Sequence, residues 1–153
     1  MTWSLQLRNG DLAIDRDRFN TVTDWRKLVQ DLRIRLLTRL GTDDLHPDFG
    51  STLDGGTRID GLEIPSIIGE SDQLVAKSFI TSEVRRILAE YQQSQANRKR
   101  ADILSFGKST LTTSEILNGA DINVVFDADL VVVQIVVQTG EGEEKRISLP
   151  FNV

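Results

Sequence analysis

The chain has 153 residues, no cysteine and a formal net charge of -5, with 39% hydrophobic and 27% charged residues. That is enough for a single domain over 1–153 with a true core, and it excludes disulfides, thiolate metal sites and cysteine nucleophiles. The acidic balance argues against sequence-independent nucleic-acid binding, and the apolar run Leu130 to Val133 is too short for a membrane helix, so neither nucleic acid nor membrane is expected as a partner.

At the N-terminus, Met1-Thr2-Trp3-Ser4 lacks the basic start and apolar stretch of a secretory signal, so synthesis and assembly in cytoplasm are expected. Trp3, Leu5 and Leu7 alternate with polar residues up to Asn9-Gly10, and Leu12 and Ile14 follow. Asn-Gly between alternating runs predicts a hairpin, with Leu7 opposite Leu12 and Leu5 opposite Ile14 on one face. Thr23 is placed to cap a helix running to Leu40 and stopping at Gly41, its core stripe formed by Trp25, Leu28, Val29, Leu32, Leu36 and Leu40.

From Gly41 to Gly69 the pattern changes: six glycines and two prolines mix with large hydrophobes such as Leu45, Phe49, Leu53, Ile59 and Ile68. This predicts an ordered loop anchored by its own side chains. A second helical segment starts at Ser71 or Asp72 and reaches the region of Asn97, with Leu74, Val75 and Phe79 as a first stripe and Ile80, Val84, Ile87, Leu88 and Tyr91 as a second. The drift near Thr81-Ser82 fits one bent helix or two consecutive ones. Beyond it, Ile103 to Phe106 reads as a short strand, and Gly107 to Ala120 has no clear pattern. Ile122 to Phe126, Leu130 to Gln138 and the alternation of Ile147, Leu149 and Phe151 read as strands joined by turns at Asp127-Ala128-Asp129 and Gly140-Glu141-Gly142-Glu143. The expected fold class is α+β: an N-terminal β-hairpin, two main helices and a C-terminal antiparallel sheet.

Leu130 to Val137 is apolar at nearly every position, which is the signature of a strand with both faces covered. Left on an open edge, such a β-branched, uncharged segment would recruit other chains. It is therefore central in the sheet under a helix, the plainer reading, or it is finished by a strand from a partner.

Asn9 to Ile14, Lys27 to Leu32, Leu36-Leu37-Thr38-Arg39-Leu40-Gly41 and then His46-Pro47-Asp48-Phe49-Gly50-Ser51-Thr52-Leu53 together resemble one family. It is the baseplate wedge family of contractile phage tails (phage protein W), with relatives in type VI secretion and extracellular contractile injection systems. The resemblance covers the first half by motif and the rest by element order. It implies a structural, non-enzymatic sheath initiator that needs no cofactor and sits in the baseplate of a virion tail or injection particle. Its implied partners are the tail sheath protein, the baseplate wedge core proteins and hub or tube proteins, with about six copies per baseplate. The implied mechanism is strand exchange between the terminal sheet and the first sheath ring. The implied docking strands lie within Leu130 to Val137 and Arg146 to Val153, carrying Val131, Val133, Ile135, Val137, Ile147, Leu149 and Phe151. Gly41, His46, Pro47, Asp48, Phe49 and Gly50 form the family loop motif. The Glu-Pro-Arg that the family often carries after its long helix is missing, which leaves Arg98 and Arg100 as the nearest candidates for a wedge contact.

Two rival readings are a peptidoglycan hydrolase and an adaptor that shares only the fold. A glycoside hydrolase needs two carboxylates across a cleft, one with a raised pKa. Glu63, Glu70 and Glu83 are available, but none stands in a recognisable catalytic setting, and a surface role is expected for each. Asp43, Asp44, His46 and Asp48 lack the second nitrogen or sulfur ligand of a zinc site and the spacing of a calcium loop, so no metal is expected. The economical reading of the motif is structural: Pro47 keeps His46 extended, Phe49 plugs the core, and Gly50 permits a turn.

Overall fold

Asparagine tolerates left-handed backbone better than most residues, and Asn9 adopts it, with φ 54°. The computed structural model describes residues 2–9, 11–15, 18–69 and 72–152; Gly10, the other half of the predicted turn, lies outside them. On either side of this turn β2 (Leu7–Arg8) pairs with β3 (Asp11–Leu12), with Leu7 opposite Leu12 as expected. The ladder then divides. β1 (Ser4–Leu5) pairs with β6 (Thr21–Val22), and β4 (Ile14–Asp15) pairs with β5 (Arg18–Phe19), so Leu5 faces Thr21 rather than Ile14. The cause is a ring of three backbone hydrogen bonds: Ala13 N to Gln6 O at 2.8 Å, Gln6 N to Asn20 O at 2.8 Å, and Asn20 N to Ala13 O at 3.0 Å. The predicted hairpin is thus the first arm of a three-way junction, and Leu5, Leu12 and Ile14 stay exposed.

Helix α1 (Asp24–Leu37) is entered through Thr23, whose backbone is extended and whose hydroxyl donates to the Asp24 carboxylate at 3.1 Å. Leu28, Leu32 and Leu36, one helical turn apart, are buried and face the core. The helix stops earlier than Leu40. Thr38 turns extended while its hydroxyl donates to Ile34 O at 2.6 Å, and its carbonyl accepts the Ser51 amide at 2.8 Å. This releases β7 (Arg39–Leu40) to lie parallel to β8 (Ser51–Thr57), which also pairs antiparallel with β9 (Glu63–Ile64). The Gly41–Gly69 segment is therefore ordered as expected, but it contains a sheet that Gly55-Gly56 hides from a period-two reading.

Helix α2 (Gln73–Phe106) is a single helix of 34 residues. Asp72 caps it by accepting the amides of Leu74 at 2.9 Å and Val75 at 3.2 Å, and Gly107, left-handed at φ 73°, ends it. Glu70 and Ser71 lie outside the described residues. Ile103 to Phe106 is the last turn of α2 and not a strand: the Gln, Arg, Lys and Ala run before it favours helix, and Gly107 is the first stop signal it meets. The buried stripe ends at Tyr91, so Gln92 to Phe106 forms an arm about 22 Å long. The arm is tied back along one side. Gln95 accepts from the Leu117 amide at 2.9 Å and donates to Glu115 O at 2.6 Å, and the Asp102 carboxylate accepts the Thr110 amide at 2.9 Å.

The C-terminal sheet is an antiparallel meander of β10 (Leu117–Asp127), β11 (Leu130–Thr139) and β12 (Glu144–Asn152), with β11 central. β10 begins five residues before the predicted Ile122. Val131, Val133, Ile135, Val137 and Thr139 are buried beneath the helices, with Val124, Ile147 and Leu149 beside them. The opposite face of β11 is only half covered at Val132 and Val136, and Gln134 is exposed. The fold is α+β, with one core between the two helices and one face of this sheet.

Leu32→Ala and Ile135→Ala, both at the centre of that core, should each destabilise the protein by about 2–5 kcal/mol. Leu104→Ala, on an arm residue that is 87% exposed, should cost less than about 0.5 kcal/mol. Urea unfolding of the three variants checks the contrast.

Candidate docking surface and the loop that braces the helices

The residues expected to dock a partner strand belong instead to the core. β11 is hydrogen-bonded on both sides, and Val131, Val133, Ile135 and Val137 point under the helices. Ile147 and Leu149 are buried as well, and Phe151 is half-buried; Val153 lies outside the described residues. These side chains hold the sheet to the helices, and of them only Leu149 also lines a surface groove. What remains open is the border: among the described residues no strand pairs with the outer side of β12 or of β10.

The β12 border opens into a groove of about 900 Å³. Its walls are the first hairpin at Leu7, helix α1 at Trp25, Val29 and Leu37, and β12 at Leu149 and Pro150. No residue of β10 or β11 lines it, so it lies on the unpaired side of β12. The hairpin wall is fixed by Gln30, which accepts the Leu7 amide at 2.9 Å and donates to Leu5 O at 2.7 Å. Lys145 Nζ lies 4.4 Å from the centre of the Trp25 ring, joining the α1 wall to β12. The arrangement presents unpaired peptide groups beside an apolar trough, which is what an incoming strand needs for hydrogen bonding and for side-chain register.

The Gly41 to Gly50 motif is the loop between β7 and β8, beyond the end of α1. Gly41 has φ 78°, and a Cβ there would stand 2.3 Å from Thr57 O; Gly50 has φ 111°, and its Cβ would stand 2.6 Å from Thr38 O. Both positions exclude any larger residue. Asp43 accepts the amides of Leu45 at 2.9 Å and His46 at 3.3 Å, and its other oxygen lies 3.1 Å from His46 Nδ1. The Leu45 amide, followed by the His46 ring, holds the Asp43 carboxyl below its ordinary pKa. His46 is thus a turn residue, and among the described residues no group of three or more potential ligands forms a metal site. Asp48 is exposed and Pro47 half-buried. Phe49 does not enter the main core; it lies under the Arg35 guanidinium, 5.1 Å from the ring centre.

Glu83 ties this motif to α2. Its carboxylate is buried and accepts the Thr52 amide at 2.7 Å and two bonds from Arg86 at 2.7 and 2.8 Å; Arg86 also donates to Gly50 O at 3.2 Å and to Glu90 at 2.5 Å. Burial pushes the Glu83 pKa up, but the Arg86 guanidinium and the Thr52 amide outweigh it and hold the group below its ordinary value. A hydrolase acid requires the opposite shift. Glu63 is exposed in β9, and Glu70 lies outside the described residues. Tyr91 is buried and its hydroxyl donates to Asp31 at 3.1 Å; burial and the Asp31 charge push its pKa upward. Arg98 and Arg100 are exposed on the α2 arm.

Sequence reasoning missed Arg35, the Glu83–Arg86 clamp and the groove. The Glu83, Arg86, Glu90 spacing signals pairing along a helix, but nothing local signals its attachment to Gly50 and Thr52. Comparison with protein-family models, with curated proteins and with solved structures finds no match to the chain.

Gly50→Ala should destabilise the protein by at least about 1 kcal/mol, because a positive φ and a backbone clash act together. Glu83→Gln should cost about 1–3 kcal/mol at neutral pH. Since the folded pKa of Glu83 lies below its ordinary 4.5, its contribution is complete above that value and fades as pH falls through the folded one. The gap between wild type and Glu83→Gln should therefore close on acidification. Denaturant melts across pH 2–7 read this directly, and a gap independent of pH would contradict it.

Proposed function

We propose that this chain is a structural baseplate wedge subunit of a contractile injection tail, and that it nucleates the sheath by accepting a strand from the first sheath ring. The observation that carries the reading is the open border of β12 beside the apolar groove. An acceptor for strand addition needs an edge with unpaired peptide groups, a trough for alternate side chains and a rigid frame behind both. The meander supplies the edge, Trp25, Val29 and Leu37 supply the trough, and the buried face of β11 supplies the frame. The resemblance of Gly41 to Leu53 to the wedge family supports the same reading, and the two glycines of that motif are sterically required here. In this reading the sheath protein docks at β12, wedge core proteins and hub or tube proteins hold the remaining surfaces, and the particle assembles in the cytoplasm of the host or producer cell. No cofactor or catalytic step enters.

Removing 146–153 would extract Ile147 and Leu149 from the core, so substitutions on the groove are the sound test. Leu37 is 57% exposed on the groove wall. Leu37→Asp combined with Ser148→Lys should leave the circular dichroism spectrum intact and reduce recovery of the cognate sheath protein in a pull-down by about tenfold or more. Undiminished recovery by a folded double variant would sink the strand-exchange mechanism.

A further inference from the structure

Arg35 differs from Lys27 and Arg86, the paired cations beside it. Its guanidinium is held between two rings, 5.1 Å from the centre of Phe49 and 5.5 Å from that of Tyr91. Among the described residues it has no carboxylate within ion-pair distance, whereas Lys27 is paired with Asp31, and Arg86 with Glu83 and Glu90. Clamping between rings removes the rotamer freedom that makes most surface arginines poor binders, while the N–H edge stays available.

Two clefts meet at this residue. A smaller one of about 270 Å³ is walled by Tyr91, Phe49 and Leu111 and carries Ser94 and Arg98, a second guanidinium with no carboxylate in ion-pair reach among the described residues. Asp31 also lines it, and its Oδ2 takes both Lys27 and the Tyr91 hydroxyl, so its charge is offset by Lys27. The smaller cleft therefore holds two guanidinium groups without a direct ion pair beside its ring and leucine walls, Arg98 being partly offset by Asp102 one helical turn on. The larger cleft, about 820 Å³, shares Arg35 and Phe49 and is rimmed by Leu45 and Ile59, which are 86% and 76% exposed. Its other cations, Arg58 and Arg86, each have a carboxylate partner.

We propose that this double cleft is a second docking site, distinct from the β12 groove, that takes an extended segment of a partner protein bearing one acidic side chain followed by apolar residues. The acidic group enters the smaller cleft, where Arg35 and Arg98 donate to its oxygens and the Ser94 hydroxyl adds a third donor. The apolar residues lie over Leu45 and Ile59 across the larger cleft. A free anion would fill the first lobe alone; the continuity of the two lobes through Phe49 and the apolar rim of the second select a peptide.

The test is to pan a displayed library of short random linear peptides on the wild-type chain. Enriched peptides should share an acidic residue next to apolar ones, and Arg35→Met should weaken them by about tenfold or more. Since Arg35 also packs against Phe49 and Tyr91, a second variant guards against misfolding: Ser94→Glu, on an exposed helix position, places a carboxylate in the smaller cleft and should block the same peptides. Leu37→Asp, in the other groove, should bind them as wild type does. No enrichment, peptides that bind Ser94→Glu undiminished, or displacement of the peptides by acetate at an equal concentration of carboxylate would each overturn the proposal.

Discussion

A three-stranded antiparallel sheet cannot close on itself, and this constraint organises the molecule. One face of the meander must be roofed, and α1 and α2 do so with Leu28, Leu32, Leu36, Ile80, Val84 and Ile87 against Val131, Val133, Ile135 and Val137. Between the helices, β8 packs Leu53 into the same core. The inward side chains of the central strand are consumed in this contact, which leaves, among the described residues, the borders of the sheet and its second face open to a partner.

The brace between the helices adds a set of polar contacts to the apolar core. Glu83, Arg86, Thr52 and Gly50 join α2 to β8, and Ser51 joins β8 to the end of α1 through Leu36 O at 2.6 Å. A carboxylate buried in this way is tolerable only because every lone pair facing the protein finds a donor. The same brace sets Phe49 and Tyr91 on either side of Arg35, so the geometry of the charged double cleft follows from a structural network and not from residues placed for binding alone.

The elements carried by periodicity could be read from the chain. The α1 stripe, the Asp72 start of α2, the turn at Ala128-Asp129 and the pairing of Leu7 with Leu12 all follow from local spacing and turn chemistry. Features decided by distant partners could not. The split of the first hairpin depends on Asn20 reaching Gln6, β8 is masked by its glycines, and Ile103 to Phe106 has strand-like residues at the end of a helix that never receives an earlier stop signal. The site divides along the same line. The valine-rich strand was conspicuous, but whether it docks a partner or fills a core depends on which strands flank it, and only the topology places β11 in the centre. Arg35 looks like any helix-surface arginine until Phe49 and Tyr91 are brought to its two sides.

An open strand border is a hazard as well as an asset, since any exposed edge could use it. β12 carries the usual restraints: Pro150, which is confined to edge strands because it lacks an amide donor, and Arg146 and Ser148, which keep the outward face polar. β10 carries a register irregularity between Leu117 and Gly119 in its ladder with β11, a feature that bends a strand locally. These features weaken pairing by hydrogen bonds alone, so a strand gains enough to stay only if it also fills the trough between Trp25, Val29 and Leu37. Selectivity at such a border comes from the groove, not from the peptide groups. The border therefore discriminates against other copies of this chain unless they present side chains of the matching spacing.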